Sequence, residues 1–188
     1  MLWFFTTLMA VSCLAAAALS AEPYNRESNG EKPEDFEKNI KPLVVGIGSA
    51  KSVSLYEGLP HQYFEKELLE QELKTQKSVM LHKFPFYDKA ITPKEEDVKK
   101  LAALCGDRKT FGRYRAPKSC GGYHPDWCVE WKDGEDVYQV LICFGCHEAR
   151  VYGPKNDVYS DLDDAALKKL VEVLTAYRKN RPERAKLK

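Results

Sequence analysis

The stretch Cys143-Phe144-Gly145-Cys146-His147 carries the densest chemistry in the chain. Its spelling, C-x-x-C-H, is the one by which c-type haem is attached. Two thiols form thioethers to the haem vinyl groups and the histidine ligates the iron. On this reading Cys143, Cys146 and His147 are the cofactor-binding set of an electron carrier. The same letters suit two soft ligands of a metal site. Cys120, His124, Cys128 and His147 are the further ligand types, and two pairs on adjacent loops would make four-coordinate zinc. A third reading is structural: Cys143–Cys146, Cys120–Cys128 or a cross-pair among the four forms disulfides, and His147 is a surface or satisfied histidine. A thioredoxin-like role needs a C-x-x-C that opens a helix, whereas strand-forming residues follow this one.

Geometry restricts the motif. In an unbroken strand Cys143 and Cys146 point to opposite faces, so they could neither bond each other nor hold one haem. The chain must therefore bend at Phe144-Gly145, and Gly145 suits a positive-φ turn position. The bend makes a hairpin of Val137–Cys143 with Cys146–Tyr152. Known small c-type cytochromes carry the motif on a helix near the start of an all-helical domain; here it lies late and among strand residues. His61, His82, His124 and Met80 are the available sixth ligands, none in a diagnostic setting. His61 and His124, each in a Gly/Pro turn, could line a pocket with Asp126. No nucleophile–base or paired-carboxylate arrangement stands out, so the chain reads as a binding module rather than an enzyme.

The chain has 188 residues, with 29 basic and 28 acidic side chains. That balance argues against nucleic acid as a partner, because phosphate binding needs a basic face. Leu2 to Ala21 contain no charged side chain and end in small residues, the shape of a signal peptide over residues 1–21. An uncleaved leader would be the sole membrane contact. The protein is thus expected in the periplasm, envelope or medium, where an envelope protein or small ligand would be its partner. Removing the leader leaves Cys105, Cys120, Cys128, Cys143 and Cys146, an odd set in an oxidising compartment. Cys105, on the apolar stripe of a helix, is the expected unpaired thiol.

The elements follow from periodicity. Residues 22–41, rich in Pro, Glu, Lys and Asn, read as a flexible tether to a single domain over 42–180. Gly46-Ile47-Gly48 lacks the rest of a phosphate loop. Ser52–Tyr56 alternates as a strand, Gln62–Lys74 is helical, and Ser78–Phe84 is a strand ended by Pro85. Thr92-Pro93-Lys94-Glu95 starts a helix with Thr92 as its cap. Lys118–Asp126 is a loop, Trp127–Trp131 and Val137–Ile142 are strands about an Asp133-Gly134 turn, and Ala149–Tyr152 is a further strand. Asp161–Asp164 caps a last helix carrying Leu167, Leu170, Val171, Leu174 and Tyr177. A basic tail follows over 181–188. The fold expected is α+β: a mostly antiparallel sheet with two or three covering helices.

Four stretches taken together, Leu55–His61, Phe84–Tyr87, Cys120–Trp127 and Leu141–Glu148, resemble a group of uncharacterised bacterial exported proteins. The resemblance spans about Ser52 to Tyr177. It implies an envelope or secreted protein and carries no activity or functional residue.

Overall fold

The computed structural model describes residues 32–115 and 118–181. The leader, the first part of the tether and the tail beyond Arg181 lie outside the described residues. The protein is an α+β domain built on one six-stranded antiparallel sheet. Its strands are β1 (Ser52–Glu57), β4 (Phe111–Arg113), β5 (Trp127–Asp133), β6 (Asp136–Cys143), β7 (Glu148–Tyr152) and β8 (Asp157–Leu162). Their spatial order is β1-β5-β6-β7-β8-β4. The hairpin β2 (Ser78–Leu81) and β3 (Phe84–Tyr87) forms a second, two-stranded sheet.

Strand alternation sorts side chains between two faces. Trp127, Val129 and Trp131 of β5, with Val140 and Ile142 of β6, enter the main core. Helices α1 (Pro33–Ser49), α3 (Glu95–Cys105) and α4 (Asp164–Thr175) cover that face. Trp127 and Trp131 are fully buried there, and truncating a residue of this size to alanine costs about 3–5 kcal/mol. The opposite face carries Cys128, Leu141 and Cys143 in a second cluster with Phe86, Tyr123 and Cys146. It is roofed by the β2–β3 hairpin and the 118–126 segment. The remaining helix, α2 (Lys66–Thr75), ties to that roof through buried Glu72, which accepts from the Tyr87 hydroxyl at 2.7 Å.

Several expectations are corrected. The tether expected over 22–41 stops short, because Pro33–Ser49 is one helix. Phe36, Ile40, Leu43, Val44 and Ile47 recur at helical spacing and are all buried, which outweighs Pro42 and the two glycines. The strand expected over Ser78–Phe84 is a hairpin turning at His82 and Lys83, and Pro85 sits inside β3. Lys94 rather than Thr92 caps α3, without a side-chain bond. β4 and β8 join the strands foreseen. At α4, Asp163 is the cap and accepts from the Ala166 N–H at 2.9 Å.

Candidate functional site

Loop 118–126 crosses the second face and delivers Cys120 to the end of the β6–β7 hairpin. Cys120 and Cys146 form a disulfide, with Cα atoms 5.6 Å apart. The loop turns at Gly121 and Gly122, whose φ values are +75° and +98°. Such angles suit glycine, and a Cβ at Gly121 would also stand 2.6 Å from the Phe64 ring. Lys118 anchors the start of the loop on Asp161 at 2.6 Å and Glu148 at 3.4 Å. Tyr123 anchors its middle: the buried hydroxyl donates to the Leu141 carbonyl at 2.6 Å. The Arg150 guanidinium lies 5.0 Å from the rings of Tyr123 and Tyr159 and 5.4 Å from Phe84, a cation held among aromatic faces.

The β6–β7 connection bends over Phe144–His147, as the C-x-x-C geometry requires. The positive φ falls on His147, at 55°, and not on Gly145. Cys143 stays a thiol beneath the bridge. The Cys146 N–H donates to its Sγ at 3.3 Å. Burial pushes this thiol up to about 11, against the Cys146 N–H contact, which favours the thiolate. Cys105 and Cys128 are also free and buried, and burial raises both thiols. Among the described residues three thiols stay unpaired, the expected Cys105 and also Cys128 and Cys143.

His61 and His124 do come together, their ring centroids 4.6 Å apart. His61 Nδ1 accepts from the backbone N–H groups of Tyr63 at 3.0 Å and Phe64 at 3.3 Å. The ring proton is thereby placed on Nε2. His124 Nε2 donates to the Leu59 carbonyl at 2.8 Å. Burial lowers both imidazoles, aided by the Arg181 charge, and brings His124 to about 4. The pair is neutral near pH 7. Asp126 does not serve it as an acid or base. Its carboxylate accepts from the Phe144 N–H at 2.8 Å and from Arg181 Nη1 at 2.8 Å.

Arg181 also reaches Glu65 at 2.5 Å, and Glu65 accepts from the His61 N–H at 2.8 Å. Fully buried Glu57 receives the backbone N–H groups of Lys179, Asn180 and Arg181 at 3.1, 2.8 and 3.1 Å. Gly58 lets the two segments touch. Its N–H donates to the Asp126 carbonyl at 2.9 Å, and a Cβ there would lie 2.1 Å from the Pro125 carbonyl oxygen. Glu57 lies within the Leu55–His61 stretch, whereas Glu65 and Arg181 lie outside all four stretches. The sequence signal for Glu57 is its place beside the Gly58-Leu59-Pro60 turn, and Arg181 opens the basic tail.

The four similar stretches thus converge: residues 55–61, 84–87, 120–127 and 141–148 surround one corner of the second face. The ligand sets do not converge. Haem attachment needs both thiols of the motif, and Cys146 is bonded to Cys120 while Cys143 is 3% exposed beneath it. His147, the expected axial ligand, turns away to Asp164 at the start of α4, Nδ1 to Oδ1 at 2.9 Å. Zinc fares no better. Cys128 points into the second cluster, His124 is committed to Leu59, and Cys120 is oxidised. Among the described residues no group of three or more His, Cys, Asp or Glu side chains is placed to hold a metal ion. No helix among them is long and apolar enough to cross a membrane. Comparison with protein-family models, with curated proteins and with solved structures yields no match to this chain.

Proposed function

We propose that the chain is an exported binding module whose contact surface is the turn at residues 61–64 beside the disulfide-pinned loop. The observation that carries this reading is the pair Tyr63 and Phe64, exposed at 72% and 45% on a fixed backbone. Their rings meet edge to face at 5.1 Å, and Phe64 lies 4.7 Å from the His61 ring. The His61 ring, Glu65 and Arg181 hold the turn from beneath. Aromatic side chains offered on a preorganised turn lose little entropy on binding. The partner is an envelope protein or a small ligand with an apolar or aromatic face. The disulfide supports an oxidising compartment, in keeping with the apolar leader.

The test is a photo-crosslinking side chain at Tyr63 in the full chain, exposed to envelope extract, with adducts read by mass. A control probe is placed at Lys99, an exposed position on α3. We expect discrete adducts at position 63, none at 99, and loss of both adducts and binding when Phe64→Ser is added. Equal labelling at both positions, or none at 63, overturns the reading.

A further inference from the structure

We propose that Cys143, Cys146 and Cys120 form a thiol–disulfide exchange site, in which the bridge moves from Cys120–Cys146 to Cys143–Cys146 and frees Cys120 to take an external disulfide. This activity does not rest on the aromatic contact surface.

Three observations carry it. The first is position. Cys143 Sγ accepts the Cys146 N–H at 3.3 Å, so a third sulfur stands at the foot of the bridge, across a two-residue turn. The second is the surroundings of that sulfur. The Cys146 N–H points at it at 3.3 Å, a contact that favours the thiolate, while burial, the larger influence, raises the thiol to about 11. The third is asymmetry. Cys143 and Cys146 are 3% and 1% exposed, whereas Cys120 is half-buried on a loop that turns at two glycines. Exchange therefore expels the outermost of the three. Free Cys128 lacks this placement: it lies opposite Leu141 in the β5–β6 ladder.

The step is balanced within the chain. Cys143 gives its proton to solvent and its thiolate attacks Cys146 Sγ. The Cys143–Cys146 bond forms, the Cys120–Cys146 bond breaks, and Cys120 leaves with the electron pair. No oxidant or reductant is consumed. The Cys120 thiolate then attacks one sulfur of an external disulfide. A mixed disulfide forms on Cys120, and the other half of the substrate departs as a thiolate.

The experiment uses the oxidised, folded full chain. It is incubated with N-ethylmaleimide at about pH 7 and about pH 9, quenched in acid and peptide-mapped without reduction. We expect maleimide on Cys120 together with a Cys143–Cys146 bridge. The rate should rise about tenfold per pH unit, as the Cys143 thiolate fraction does below its raised pKa. Glutathione disulfide in place of maleimide should leave glutathione on Cys120. Cys143→Ser should abolish both products and Cys128→Ser should leave them. An unmoved Cys120–Cys146 bridge, maleimide on Cys143 with that bridge intact, or equal Cys120 labelling in Cys143→Ser overturns the exchange. Maleimide labelling without glutathione transfer overturns the external step. The wild-type map decides alone if Cys143→Ser does not fold.

Discussion

His124 shows how far a single side chain is shaped by its surroundings. Its imidazole is buried against His61 and spends its one proton on the Leu59 carbonyl. Charging it would put a cation beside Arg181 in a dry corner, so its folded pKa falls from the ordinary 6.5 to about 4. The unfolded chain then binds the more protons between those values, and stability must rise with pH there. The stabilising contribution is complete above about pH 6.5 and is lost as pH falls through about 4, an effect on the order of 3 kcal/mol. His61, also lowered, acts in the same direction. Urea unfolding at a series of pH values checks this. The wild type should lose stability steeply over that window, and His124→Gln, which keeps a donor for Leu59, should flatten the loss by about one proton. Parallel curves for the two proteins would remove His124 from the account.

At the scale of elements, the β2–β3 hairpin is held by a turn that its residues do not prefer. Two-residue hairpin loops with positive φ at both positions favour Asn-Gly. Here His82 and Lys83 adopt φ values of 48° and 72°. His82 offsets its own cost, stacking on Tyr152 with centroids 3.4 Å apart and bonding Gln139 at 2.6 Å. Lys83→Gly should therefore stabilise the protein by about 1 kcal/mol in chemical denaturation, whereas His82→Gly should destabilise it. A loss for Lys83→Gly would mean that the lysine side chain contributes more than its backbone costs. This turn also explains why the sequence reads Ser78–Phe84 as one strand: without Gly or Asn nothing marks the reversal. α1 was hidden differently. Its stripe from Phe36 to Ile47 straddles a polar, proline-containing segment and an apolar one, so composition divides what periodicity joins. The β5–β6 hairpin and α4 were legible because their turn and cap are strong: Asp133-Gly134 and Asp163. The cysteine cluster was legible as a cluster, and a cross-pair was among its readings. The choice of Cys120 with Cys146 depends on where loop 118–126 crosses the sheet, which local spacing does not encode.

Over the whole molecule, the sheet divides the work. Its helix-covered face supplies the apolar core, and its other face is roofed by long-range ties. The Cys120–Cys146 bridge closes a separation of 26 residues, which in the chain-entropy view is worth about 3 kcal/mol. Cys120→Ser with Cys146→Ser should lower the urea midpoint accordingly, and a reductant should then have no further effect. The Glu57 clamp is the other tie, and it joins the chain's last described residues to β1. Removing its carboxylate leaves three backbone N–H groups without their acceptor in a buried place. Residues 178–181 must then detach, and Arg181 leaves both Glu65 and Asp126. Asp126 in turn positions the Phe144 N–H at the head of the sulfur-bearing turn. Glu57→Ala should thus cost about 3 kcal/mol and expose Arg178 and Lys179 to trypsin. It should also raise the mobility of the 61–65 turn, read as faster hydrogen exchange at Glu65, whose N–H is bonded to the His61 carbonyl at 2.8 Å. Arg181→Met separates the two contributions: it keeps the Glu57 clamp, so trypsin resistance at 178–179 should persist while exchange at 65 still quickens. If both variants leave exchange at Glu65 unchanged, the turn is held by His61 and Phe64 alone, and the C-terminal segment has no part in shaping the contact surface.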